Sequence, residues 1–121
     1  MANWSDDEGS PWYKNTNIKT VKIEYGVTSI GDWAFGWCTS LTTVTIPDSV
    51  TSIGDWAFYY CTSLNKIYFK GDKPKFDYEG DWYPFKNVIA DVYYPANNST
   101  WNNIESNWDG GGKMTFHSYN P

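Results

Sequence analysis

Residues 31–58 read GDWAFGWCTSLTTVTIPDSVTSIGDWAF. The letters Gly31-Asp32-Trp33-Ala34-Phe35 return as Gly54-Asp55-Trp56-Ala57-Phe58, an offset of 23 residues (31 to 54). The same offset carries Cys38 onto Cys61, Leu41 onto Leu64, Val44 onto Ile67 and Ile46 onto Phe69. Gly26-Val27-Thr28-Ser29-Ile30 matches Ser49-Val50-Thr51-Ser52-Ile53 in the same way. A fixed period in the twenties is the mark of a solenoid, in which each unit adds one coil and buries its faces against its neighbours. A fainter copy, Gly80-Asp81-Trp82, follows 26 residues after Gly54 (54 to 80), so Trp82 is expected to sit displaced from the other two.

Within a unit, Leu41-x-x-Val44-x-Ile46 has the form of a leucine-rich repeat, with one short strand per coil and alternate residues buried. The expected inward sets are Ile18/Val21/Ile23, Leu41/Val44/Ile46, Leu64/Ile67/Phe69 and Ile89/Val92/Tyr94. Thr20, Thr43, Lys66 and Asp91 then form one outward column, and Lys22, Thr45, Tyr68 and Tyr93 a second. Pro47 and Pro95 are expected to end strand pairing, because proline has no N–H to donate.

CTSLTTVTIP and IPDSVTSIGDWAF closely resemble the BspA-like, or Treponema-type, leucine-rich repeats of bacterial surface proteins. The stretch from Ser10 to Gly31 is similar to the entry cap of that family, and residues 88–119 to its exit cap. The resemblance covers most of residues 10–118 and implies a mainly β, short leucine-rich-repeat solenoid closed by terminal caps. The expected division is 1–17 as N-terminal cap or linker, 18–94 as coils and 95–121 as C-terminal cap, in one domain. Single-turn helices or turns are expected at Ala34-Phe35 and Ala57-Phe58. Trp12 is expected to cap the first coil, and Trp101 and Trp108 the last. Entry caps of this family carry a further strand upstream, and this chain begins inside that region.

The composition narrows function. Net charge is −5, and nucleic-acid binding wants a basic stripe instead. The same sign disfavours anionic membrane surfaces, and no apolar run approaches spanning length. MANWSDDEGS has neither a basic nor an apolar leader region, so no signal peptide is expected there; a module of a longer secreted chain would read the same. Aromatic residues make up 20% of the chain, with 8 Trp, 10 Tyr and 6 Phe. Large rings need about 150–250 Å² of cover each, more than so small a core supplies, so some must lie on the surface, where clustered aromatics mark binding sites.

Two sites follow. If Ala34/Phe35 and Ala57/Phe58 point inward, Trp33 and Trp56 point outward or sideways. Coils stack about 4.8 Å apart, close to the rise of a β-1,4-linked glycan, so Trp33, Trp56 and Trp82 offer one ring per sugar. Trp37 and Tyr60, in a slot the family often fills with glycine, extend the platform, and Asp32 and Asp55 accept from sugar hydroxyls. A structural reading stays open for the tryptophans, packed on one another, and is the preferred one for the aspartates, each capping its turn by accepting an N–H two residues on. The rival site is the strand face, with Tyr68 and Tyr93 flanked by Lys66 and Asp91, a surface on which solenoids bind protein partners.

The repeated Cys38 and Cys61 read as buried free thiols filling a turn. No metal site, cofactor site or catalytic motif is legible; the single histidine, His117, falls in the last strand, and Gly110-Gly111-Gly112 reads as a hairpin turn before it. The expectation is a non-catalytic, monomeric module of a larger extracellular or cell-surface protein. Its expected ligand is a plant cell-wall β-glucan or β-mannan. The alternatives are a host or bacterial protein partner, or a spacer without ligand.

Overall fold

The computed structural model describes residues 12–121. Among the described residues eight strands form two parallel sheets. The first holds β1 (Thr20–Lys22), β3 (Thr43–Ile46), β5 (Lys66–Phe69), β7 (Ile89–Pro95) and β8 (Lys113–Tyr119), in that order across the sheet. The second holds the two-residue strands β2 (Ser29–Ile30), β4 (Ser52–Ile53) and β6 (Lys75–Phe76). The coils that begin with β1, β3 and β5 thus each make one strand of the main sheet and a second, very short one that the repeat spacing alone does not announce.

The register is that of the repeat. Val21 lies opposite Val44 and Val44 opposite Ile67, so the apolar positions of successive coils stack into continuous columns. Leu41, Val44, Ile53, Ala57, Phe58, Cys61, Ile67, Phe85 and Val92 are completely buried. Phe35, Phe58 and Phe85 form a pile of rings, with centroids 5.3 and 5.1 Å apart and planes within 12°. The pile fills the coil at the corner where turns replace strands around Ala34-Phe35 and Ala57-Phe58.

A tryptophan packs on the terminal coil at each end. Trp12 stacks on Phe35 at 5.4 Å. At the other end Trp101 packs against Phe69 at 4.9 Å and Tyr94 at 5.3 Å, and its Nε1 donates to the Gly71 carbonyl. Trp108 contacts Phe76, Phe85 and Phe116 and donates to Gly111 O. Each indole N–H in the exit cap therefore has an acceptor, as burial of so polar a group requires.

Three expectations are corrected. Gly110-Gly111-Gly112 does not make a hairpin: β8 runs parallel to β7, with Tyr93 opposite His117. A parallel neighbour requires a crossover, which a 3-10 turn (Ser99–Trp101) and the short helix α1 (Ile104–Asn107) supply. Ile89 is 73% exposed rather than inward. Val88 takes the slot of Cys61, because Cys61 N donates to Phe58 O and Val88 N to Phe85 O. Ile67 lies six positions after Cys61 but its counterpart Val92 lies only four positions after Val88, as the register sets Ile67 opposite Val92. The shorter link loses the leucine slot, β7 starts at Ile89, and strand alternation turns that side chain outward. Finally, Pro95 does not lie beyond the pairing; it is the last residue of β7, opposite Tyr119.

Candidate functional site

The turn-side aromatic cluster is built on left-handed backbone. Trp33, Trp37, Trp56 and Tyr60 have φ of 64°, 60°, 50° and 59°. That region costs a non-glycine residue roughly 1–2 kcal/mol, which is why the Trp37/Tyr60 slot suits glycine. Here ring packing offsets the cost. Trp33 meets Trp56 edge to face, 4.7 Å between centroids and 72° between planes. Trp56 stacks on Tyr59 at 4.2 Å, and Trp37 leans on Tyr60 at 4.3 Å. Trp33 and Trp56 are half-buried, and Trp56 Nε1 is fully buried with no acceptor among the described residues. Trp33 thus crosses Trp56 steeply, and the repeated tryptophans share no common plane although Trp56 stacks on Tyr59.

Trp82 joins this cluster, 5.1 Å from Trp56 and 6.3 Å from Trp33, yet it is displaced from their slot. Trp33 N donates to Asp55 O, whereas Trp56 N donates to Trp82 O. Trp82 therefore occupies the position of Asp55, and Tyr83 that of Trp56. The letter match GDW is one residue out of structural register, because the segment between Phe76 and Phe85 is longer than its counterpart between Ile53 and Phe58. Trp82 is 41% exposed and Tyr60 37%.

The aspartates tie coil to coil. Asp32 Oδ1 accepts from Asp55 N at 2.9 Å, and Asp55 Oδ1 from Glu79 N at 3.1 Å. The bond runs to the next coil rather than two residues along the chain. A side chain on Gly54 would collide with the Asp32 carboxylate, so the Gly-Asp pair is a matched unit. Burial, with the charges of Asp77 and Glu79 nearby, holds the Asp32 carboxyl above the usual carboxylate range, and burial with Asp32 alongside does the same to Asp55. Asp81 lies outside this chain of bonds, and Lys86 Nζ, 2.9 Å away, keeps its pKa low.

On the outer face of the main sheet the order is different. Tyr68 and Tyr93 stack at 4.7 Å and 16°, and Tyr93 stacks on His117 at 5.1 Å and 24°. His117 Nε2 lies 3.0 Å from Asp91 Oδ1. Lys66 is opposite Asp91 in the register. Lys70 Nζ reaches over the rings of Tyr68 and Tyr119 at 5.9 and 5.3 Å. Sequence reading found Tyr68, Tyr93 and Lys66 but missed His117, since a hairpin before β8 would have given it an antiparallel register. A parallel exit strand was the signal needed.

The cysteines are free and buried. Cys38 Sγ donates to Trp12 O and Cys61 Sγ to Phe35 O, both at 3.1 Å. Burial pushes the Cys38 thiol up to about 11 and Cys61 higher still, so both are unreactive thiols. Among the described residues no group of His, Cys, Asp and Glu is arranged to hold a metal ion, and no helix is long and apolar enough to cross a membrane.

Parallel coils, aligned apolar columns and tryptophans packed on both end coils define a short capped solenoid of the leucine-rich-repeat class. The family model described as the BspA type leucine rich repeat region, with 6 copies, matches residues 9–106. The chain belongs to that family. No curated protein and no solved structure matches it.

Proposed function

We propose that this chain is a non-catalytic protein-interaction or adhesion module whose partner docks on the outer face of the main sheet. The single observation behind this reading is the Tyr68–Tyr93–His117 stack, three aligned rings on consecutive strands. Tyrosine is enriched at protein interfaces because a rigid ring with a hydroxyl supplies contact area at little entropic cost. A regular sheet holds these rings in place before any partner arrives, so little ordering is charged against binding. The family's occurrence in surface proteins supports an extracellular or cell-surface setting. The test is binding of a candidate surface or host protein by calorimetry, with Tyr93→Ala and Trp33→Ala in parallel. Loss with the first alone supports the reading, and loss with the second alone rejects it.

A second reading rests on the exposure of Trp82 and Tyr60 at the rim of the turn-side cluster. A polysaccharide such as a β-1,4-linked glucan or mannan would lie on those two rings. Trp33, Trp37 and Trp56 would support them from beneath, with Asp32 and Asp55 already committed to backbone. No relative speaks for this ligand. Affinity electrophoresis against soluble β-glucans and mannans checks it: retardation that disappears in Trp82→Ala and Tyr60→Ala supports it, and unretarded migration on every glycan rejects it.

A further inference from the structure

The two long sides of the solenoid carry opposite charge. Asp32, Asp55 and Asp77 follow the ends of β2, β4 and β6, and Glu79 lies beside them, with Asp77 and Glu79 close enough for their charges to help raise the pKa of Asp32 and Asp55. The outer face of the main sheet instead carries Lys22, Lys66, Lys70 and Lys113, all exposed. Its carboxylates are Asp91, engaged by His117, and Glu24 just past β1. Lys73 and Lys86, on other sides, are paired with Asp109 and Asp81. Among the described residues, none of the four face lysines has a carboxylate within salt-bridge distance. A chain of net charge −5 thus concentrates unpaired cations on the face that also bears the ring stack.

We propose that this face docks an acidic, extended segment of a partner protein. The inference rests on the strand-face reading above and names the partner's chemistry. Lys22 continues the ring column beyond Thr45, Lys66 lies one outward position before Tyr68 and opposite Asp91, Lys113 lies two outward positions before His117 and opposite Ile89, and Lys70 Nζ reaches over Tyr68 and Tyr119. An acidic segment laid along the ring column runs past Tyr68 toward Lys22, with Lys66 and Lys70 on its two flanks. At physiological salt, charges act over about 8 Å, so the local lysines outweigh the distant acidic side. Ile89, 73% exposed within this face, adds an apolar anchor. That mixture fits a peptide carrying carboxylates and an apolar or aromatic side chain, and does not fit a uniformly charged polymer.

The test is selection of a random-peptide display library on the immobilised protein, with Tyr93→Ala and Lys66→Glu/Lys113→Glu variants alongside. Tyr68→Ser replaces Tyr93→Ala if that variant fails to melt cooperatively. The expected peptides are rich in Asp and Glu with an apolar residue. Their affinity should fall at least tenfold in the double charge reversal, fall with added salt, and vanish in Tyr93→Ala. Neutral or basic peptides that need Tyr93 and ignore the charge reversal would overturn the acidic partner and leave the strand-face reading standing. Peptides indifferent to Tyr93 would overturn both. Self-association seen by sedimentation and abolished by Tyr93→Ala would place a second copy of this chain on the face and overturn the acidic-partner inference.

Discussion

The two aromatic regions carry similar residues and have opposite order. On the strand face, Tyr68, Tyr93 and His117 lie within 24° of parallel between neighbours. On the turn side, Trp33 and Trp56 cross at 72°, and Trp56 and Trp82 at 35°. The difference comes from the backbone beneath. In a parallel sheet, ladder hydrogen bonds repeat spacing and side-chain direction strand after strand. In the turns, left-handed φ values and a third unit of different length release each ring to find its own partner. Equal spacing of tryptophans along a sequence therefore does not make a ladder of tryptophans in space. A strand makes ladders, and a turn makes clusters.

That contrast can be broken at several points. The largest effect should come from the ring pile both regions rest on: Phe58→Ala should cost about 3–5 kcal/mol in chemical denaturation, and a loss below 1 kcal/mol would reject its role as shared core. Next, Trp56→Ala should cost about 2 kcal/mol, because it removes ring contacts with Trp33, Tyr59 and Trp82 together. Trp56→Phe should cost clearly less, since it also removes the buried N–H without an acceptor. If both variants melt like the parent, the turn-side cluster is not cement. On the strand face, Tyr93→Ala should cost only about 1 kcal/mol, the scale of cross-strand pairs, while eliminating partner binding. Smallest of all, Tyr60→Gly should change stability by less than about 1 kcal/mol, because relief of the left-handed backbone offsets the lost ring contact.

A pH experiment separates the two regions by their carboxylates. Asp32 and Asp55 have folded-state pKa values above the ordinary 3.8, so the folded chain takes up these protons more readily than the unfolded one. Their ionisation costs stability at neutral pH. Stability should be recovered as pH falls through the raised values, and this contribution should level off below about the unfolded value. The urea midpoint of the parent should therefore gain, relative to Asp32→Asn/Asp55→Asn, as pH drops from 7 toward 4. Parallel curves for the two proteins would show that the aspartate chain does not couple to folding.

Much of the fold was legible because a solenoid is local logic repeated. The 23-residue offset, the L-x-x-V-x-I spacing and the capping tryptophans come from side-chain periodicity and from the need to cover each coil, and both are written along the chain. The outward columns Thr20/Thr43/Lys66/Asp91 and Lys22/Thr45/Tyr68/Tyr93 were equally readable, since parallel register follows the repeat. What escaped sits where the repeat changes length. Trp82 shares letters with Trp56 but not its slot, Ile89 lost the inward leucine position to a shortened link, and His117 joined the tyrosine stack through a crossover that three glycines disguised as a hairpin. The sequence by itself determined which residues recur and on which side of a strand they fall. Only the tertiary structure decided which rings stand parallel, which bury one another and which lysines are left unpaired, because those outcomes depend on distances between coils that no spacing along the chain records.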